Sequence, residues 1–369
     1  MTTTILCAGA LARPRPVTPG DDPQTGAGTL ALAANGALAR TIRRARIVGR
    51  SRQSALVPDE LPHEAWLRER FALEGAVAAC ALSAIDEADA CGLMVRPVHL
   101  HLALDHLVLA PPESLGLGRE EAAQLVDRAN AVLADEGLRL RALDPGAWRL
   151  EAIDADRAPD EIAALARLLA RSARMAIGRN VDAYLPSGAA ARRWRQLSNL
   201  VQMSWFEHPL NLAREADGRL VVNGLWLEGR AGRPAARPFE RVLSADETVA
   251  GLARRAGIES HPLAAEPGAD DPALQRVGDA LAGSGALLLV PEFWRRAVGD
   301  GDEPGWAQAW RAFDRWFEAL FAANPRLAAS GIRLVLTGER STIELLGLPA
   351  DRWKPWRRLA LAALLREDA

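Results

Sequence analysis

The chain has 369 residues, of which 49% are hydrophobic and 25% charged, with a formal net charge of −2. That length suits two domains, or one large α/β domain carrying an insertion. The near-neutral balance argues against a nucleic-acid surface or an anionic membrane as partner, and no apolar run approaches the ~20 residues that span a bilayer.

The opening "MTTTILCAGALA" is apolar and ends in small residues, as a signal peptide does, but it lacks a basic start. Thr2 to Leu6 therefore read as a first β-strand. A Pro/Gly-rich loop follows, "ARPRPVTPGDDPQTGAG", which suits neither a helix nor a central strand. Residues 29–47 and 59–90 are helical in pattern, and 93–109 alternate as strands do. The stretch 118–137 has the clearest helical signature, with an acidic start and Gly137 beyond its end. "LRLRAL" and "AWRLEAI" flank the turn "DPGA" as two short strands. Helices are expected over 159–177 and 188–206, then a strand in "GRLVVNGLWLEG". Ser244 and Glu247 have capping-box spacing at the head of a helix over 244–258. A helix at 272–283, the strand "GALLLV", a Trp-rich helix over 305–323 and the strand "IRLVLT" come next. The C-terminal "DRWKPWRRLALAALLRED" is expected to pack by its tryptophans. Strands alternating with helices favour an α/β fold with a largely parallel sheet. The three cysteines, Cys7, Cys80 and Cys91, are odd in number and lack metal spacing, which fits a reducing cytoplasm.

Few segments carry site chemistry. "HLHLALDH" gathers His99, His101, Asp105 and His106, three of the six histidines. On a strand, His99, His101 and Asp105 share a face, and imidazoles with a carboxylate suit zinc or manganese. The competing reading is a polar face whose histidines bond to neighbours. In "WFEHPLNLAREADGRLVVNGLW", His208, Asn211 and Arg214 recur at helical spacing and can converge on one anion. Asn223 begins the following strand, and Arg149 in "AWRLEA" extends the same idea. Alternatively, His-Pro ends a helix and Arg214 is a surface charge. "LVLTGERST" is a buried strand opening into a polar turn that presents Glu339 and Arg340. No G-x-S-x-G, Walker A or G-x-G-x-x-G occurs, and the tryptophans at 306, 310 and 316 read as core.

Several segments, taken in order over roughly residues 93–342, resemble archaeal-type cofactor-independent phosphoglycerate mutases. "GREEAAQLVDRANAVLADEGLRLRALDPGAWRLEA" is similar to that family's inserted domain, and "EHPLNLAREADGRLVVNGLWLEGRAG" to its His-Pro-Val-Asn segment. "RPVHLHLALDHLVL", "GRNVDAYLPSG", "QLSNLVQMSWFEHPLN" and "NGLWLEG" resemble a related bacterial group of RpfE-type regulatory proteins. The resemblance implies an α/β, alkaline-phosphatase-like sheet domain (1–92 and 222–369) interrupted by a smaller α+β insertion (93–221). The family holds two metals with Asp and His ligands and uses a serine nucleophile. Here Glu339-Arg340 stand in place of its terminal Asp-His, Ala8-Gly9 in place of its first Asp-Gly, and Pro291, Arg296 and Asp300 in place of His, Asp and His. A guanidinium has no lone pair to donate, and a divalent ion ~4 Å away would meet about 8 kcal/mol of repulsion at an effective dielectric near 20. Ser51 and Ser54 are the available serines in the shortened segment that would carry a nucleophile. The expectation is a cytoplasmic pseudoenzyme without a cofactor. It would bind a small anionic or phosphorylated ligand, or a protein partner, through Arg149, His208, Asn211, Arg214, Asn223, Glu339 and Arg340. The alternative is an active metal-dependent phosphatase or mutase-like enzyme with manganese or zinc relocated to His99, His101 and Asp105.

Overall fold

The strand-like stretches "TTTILC", "LLLV" and "GIRLVLT" lie side by side in the computed structural model, which describes residues 2–14, 36–85, 92–154, 159–268, 276–279, 285–354 and 356–366. The chain divides into two compact units, residues 1–71 with 235–369, and residues 72–234.

The first unit begins with β1 (Thr2–Cys7), which runs through the middle of its sheet. The helix Ala37–Arg44, strand β2 (Arg46–Arg52) and helix Pro62–Phe71 follow.

The second unit contains β3 (Leu73–Gly75), β4 (Leu93–Val98), β5 (Leu100–Leu102), β6 (Leu107–Leu109), β7 (Leu138–Asp144), β8 (Ala147–Ala152), β9 (Gly224–Gly229) and β10 (Ala231–Pro234). Four of these form an antiparallel sheet in the order β7-β8-β4-β9. Helices Arg119–Leu133 and Ala191–Phe206 share one core with it, where Leu125, Ala129, Trp194, Val201 and Trp205 join Leu93, Val95, Trp148 and Leu227. Trp148 and Trp205 meet edge to face at 5.9 Å, a favoured aromatic geometry. The small β3–β10 ladder needs glycine, because a Cβ on Gly232 would lie 1.6 Å from the Glu74 carbonyl oxygen.

The chain returns to the first unit with β11 (Arg241–Ser244), β12 (Glu259–Pro262), β13 (Leu287–Val290), β14 (Gly331–Thr337) and β15 (Ser341–Gly347). The sheet order is β12-β11-β13-β1-β14-β15-β2; β15 alone runs against the others, antiparallel to both β14 and the edge strand β2. The molecule is thus mixed α/β. The helix Glu303–Ala323 buries Trp306, Trp310, Phe313, Trp316, Phe317 and Leu320 in the same core as Ile5, Leu289 and Leu334. The core role expected for the tryptophans at 306, 310 and 316 holds.

Other expectations shift. "NGLWLEG" pairs with β4 and so belongs to the second unit, which begins at Ala72 and ends at Pro234 rather than spanning 93–221. Of residues 29–47, expected to be helical, Ala37–Arg44 form the helix and β2 begins at Arg46, while 59–90 hold the helix Pro62–Phe71 but also β3. Ser244 ends β11, and Asp246 caps the next helix by accepting from the Thr248 N–H at 2.7 Å. The expected helix at 272–283 lies largely outside the described residues. Trp353 and Trp356 are 72% and 71% exposed rather than packed.

Candidate functional site

In open α/β sheets the chemistry collects outside the carboxyl ends of the parallel strands. Here β1 is flanked by β13 and β14, with Ile5 opposite Leu289 and Cys7 opposite Leu336, while β11 pairs with β13 through Ser244 and Val290. The segments Ala8–Ala10, Ala245–Asp246, Pro291–Glu292 and Gly338–Arg340 therefore leave one edge of the first unit's sheet.

The turn after β1 is closed by its surroundings. Gly9, at φ +80°, donates its N–H to Thr337 Oγ1 at 3.2 Å, and the Leu11 N–H donates to the Thr337 carbonyl at 2.9 Å. The Trp306 indole donates to the Gly9 carbonyl at 3.2 Å, and the Trp310 indole to the Ala10 carbonyl at 3.0 Å. A Cβ on Gly9 would meet Val298 at 3.2 Å and Trp294 at 3.5 Å. The Gly9 and Ala10 oxygens of this turn are thus hydrogen-bonded to indoles under an apolar cover. Burial pushes the Cys7 thiol far up, which removes it as a nucleophile. The sequence identified these tryptophans as core, but it missed their N–H groups. Their spacing of four puts them on one helix face but does not say where either N–H points.

The residues after β13 offer no ligand set. Pro291 has no donor atom, and Glu292 pairs with Arg295 through both oxygens, at 2.8 and 2.9 Å. Arg296 and Asp300 pair with each other at 3.5 Å on an exposed helix face, with the Arg296 side chain 90% exposed. The turn after β14 joins it to β15 as a hairpin. Glu339 is exposed, whereas Arg340 donates through Nη2 to the Ser54 carbonyl at 3.1 Å and to the Ala55 carbonyl. The Arg340 carbonyl accepts from the Gln53 N–H at 2.8 Å. Ser51 lies on β2 opposite Thr342, and both Ser51 and Ser54 are exposed.

In the second unit, the residues expected to meet an anion hold the backbone instead. His208 caps the helix Pro209–Ala216, accepting from the Leu210 N–H at 3.2 Å, so His-Pro begins a helix rather than ending one. Burial, and then the neighbouring Arg128 charge, hold its imidazole below the usual value. Asn211 donates to the carbonyls of Trp205 (3.0 Å) and Val222 (2.8 Å) and accepts from the Val222 N–H (3.0 Å). Arg214, read above as a possible surface charge, is fully buried. It donates to the Leu220 carbonyl at 2.8 Å, to Glu121 Oε2 at 2.8 Å and to the Leu115 carbonyl. Burial pushes the Glu121 carboxyl up, but hydrogen bonds from Arg219, the Gly118 N–H and Arg214 outweigh it and hold the group below the carboxylate range. Asn223 accepts from the Leu100 N–H at 2.7 Å and donates to the Leu100 carbonyl at 2.8 Å, copying a ladder pair. Arg149 is buried on β8, 3.5 Å from Glu151 and packed so closely on Gly92 that a Cβ there would lie 2.5 Å from its Cγ.

His99 and His101 stack with centroids 6.1 Å apart, but His99 Nδ1 lies 2.8 Å from the Val221 carbonyl. Asp105 stands in the exposed β5–β6 turn and pairs with His106 at 2.8 Å. Among the described residues, no group of three or more His, Cys, Asp or Glu is arranged to hold a metal ion.

No protein-family model matches the chain, and no curated protein sequence matches it. Among solved structures it is similar to the PH0037 protein from Pyrococcus horikoshii, at 13% identity and a TM-score of 0.58 over 99% of this chain and 92% of that one. It is also similar to the cofactor-independent phosphoglycerate mutase from Thermoplasma acidophilum, at 11% identity and a TM-score of 0.41 over 100% and 95% of the two chains. At 13% identity the likeness to the Pyrococcus horikoshii protein is one of fold. Among the described residues, no helix is long and apolar enough to cross a membrane.

Proposed function

We propose that this chain is a catalytically degenerate, cytoplasmic protein on a phosphoglycerate-mutase-like, alkaline-phosphatase-like scaffold. It binds a small anionic, phosphorylated ligand without a metal ion. The observation that carries this reading is the indole cap on the turn after β1, where Trp306 and Trp310 occupy the carbonyls of Gly9 and Ala10. In the resembling mutases that turn holds a metal-binding Asp. The other replacements support the same reading, since Pro291 offers no donor, Asp300 pairs with Arg296 on the surface and Arg340 repels a cation. Two-metal phosphoryl transfer needs both ions to clamp the attacking and leaving oxygens, and these residues do not fit such a pair. Arg340 is the charge at the strand end that would receive a phosphate or carboxylate.

The test is elemental analysis of the full chain after incubation with manganese or zinc, followed by thermal stabilisation with 3-phosphoglycerate in the presence of chelator. Sub-stoichiometric metal is expected, with stabilisation that survives the chelator and is lost in Arg340→Ala. Two tightly held ions per chain, or chelator-sensitive interconversion of phosphoglycerates, would overturn the reading.

A further inference from the structure

The helix Pro209–Ala216 is built inside out. Its inner face carries Asn211 and Arg214, only 4% and 1% exposed, while Leu212, Ala213 and Ala216 face solvent with Pro209. Leu212 is 53% exposed, and the last turn of the preceding helix adds Met203 at 76% and Phe206 at 80%. Scattered exposed apolar residues are ordinary, but a contiguous set with a polar rim marks an interaction surface.

The charges at the two ends of this surface have opposite signs. Exposed Arg192 and Arg195 lie at the start of the helix Ala191–Phe206, and exposed Glu207, Glu215 and Asp217 lie beyond its end. Among the described residues none of these five forms an ion pair. Between the two ends the helix presents Gln196, Asn199 and Gln202. Met203 lies eight residue steps beyond Arg195, about 12 Å at the helical rise, which is close to the length of the eight-residue helix Pro209–Ala216.

We propose that this face is a self-complementary interface that pairs two copies of the chain about a two-fold axis near Met203 and Phe206. Antiparallel packing sets Met203, Phe206 and Leu212 of one copy against the same residues of its partner. It also lays each Arg192–Arg195 end along the partner's carboxylate end. A partner bearing only basic groups would satisfy Glu207, Glu215 and Asp217 but leave both arginines unmatched. The surface that matches all five charges carries both signs in reverse order, and a second copy supplies it. A two-fold contact of this kind uses one patch twice and closes on itself, and charge complementarity fixes its register.

The test is sedimentation velocity with multi-angle light scattering on the full chain across a range of concentrations. The wild type is expected to dimerise, and Phe206→Glu to raise the dissociation constant about 30-fold or more, as loss of a buried aromatic anchor does. Circular dichroism should remain unchanged, because Phe206 is exposed in the single chain. Met203→Glu provides a second, independent disruption. Arg192→Glu with Arg195→Glu in one chain should weaken its self-association, as should Glu207→Arg with Glu215→Arg and Asp217→Arg in another. A mixture of the two should form a heterodimer tighter than either homodimer. A wild type that stays monomeric throughout, a dimer indifferent to both apolar variants, or a mixture with no heterodimer would each overturn the proposal.

Discussion

Two regions of this molecule were expected to carry a site and treat their polar residues in opposite ways. In the second unit, between Glu207 and Asn223, the residue types His, Asn, Arg and Asn are present, yet their side chains bond to the surrounding backbone. At the turn after β1 in the first unit, it is tryptophan indoles that meet the backbone. The contrast teaches that a polar residue matching a motif can be present for architecture alone. Asn211 serves as a short clamp between Trp205 and Val222, and Asn223 as a surrogate ladder rung beside Leu100. Each satisfies backbone groups that burial would otherwise leave at a cost.

The largest expected effect tests the architectural half of this contrast. Arg214→Ala would strip donors from two carbonyls and from Glu121 in a fully buried setting, with an expected loss of about 3–5 kcal/mol in unfolding free energy. Arg214→Lys should recover little, since one ammonium cannot reproduce a planar fork to three acceptors. The contact also carries a pH signature. The folded Glu121 pKa is depressed, so its contribution is fully present above the unfolded carboxylate value and is lost as pH falls through the folded value. The wild-type advantage over Arg214→Ala should therefore narrow in acid, measured by urea unfolding at a series of pH values below about 4.3. An Arg214→Ala protein of wild-type stability with weakened phosphate binding would break the contrast and return this residue to a ligand site.

Strong periodicity made much of the fold legible. Arg119–Leu133 has an acidic first turn and Gly137 at φ +72° beyond its end, and β1, β13 and β14 are β-branched or aliphatic runs of strand length. The strands that escaped notice are short or polar. β2 reads "RIVGRSR", and its place at the sheet edge leaves most of it exposed, so no apolar face marks it. β11 and β12 have four residues each, too few for alternation to register. The residue types at the strand ends could be read directly. The indole cap could not, because the apolar periodicity that places Trp306 and Trp310 in the core does not indicate where an N–H points. Arg214 was read as an anion ligand or a surface charge because burying an arginine at a helical position is unexpected without a partner such as Glu121, 93 positions away.

A smaller effect tests the other half of the contrast. Trp310→Phe keeps most of the buried ring but removes the donor to the Ala10 carbonyl, leaving that oxygen without its indole partner. The expected cost is about 1–3 kcal/mol, from one unsatisfied buried acceptor and a small packing loss. If the cap matters only for packing, Trp310→Phe should cost no more than a comparable aromatic truncation at Trp316, whose indole makes no such bond. Chemical denaturation of the two variants side by side separates these cases.

The smallest effect concerns Asp300, the carboxylate expected from the sequence at a ligand position after β13. It ends the helix Arg295–Asp300, where a negative charge opposes the helix dipole, and its partner Arg296 precedes it by four residues, the weaker orientation for such a pair. Both side chains are substantially exposed, so screening reduces what the pair contributes. Asp300→Ala should therefore shift unfolding free energy by no more than about 0.5 kcal/mol in either direction. Metal uptake, read by elemental analysis, should be the same in both proteins. If the wild type retained an ion that Asp300→Ala lost, this surface carboxylate would be a ligand, and the strand ends of the first unit would still hold a metal despite the tryptophan cap.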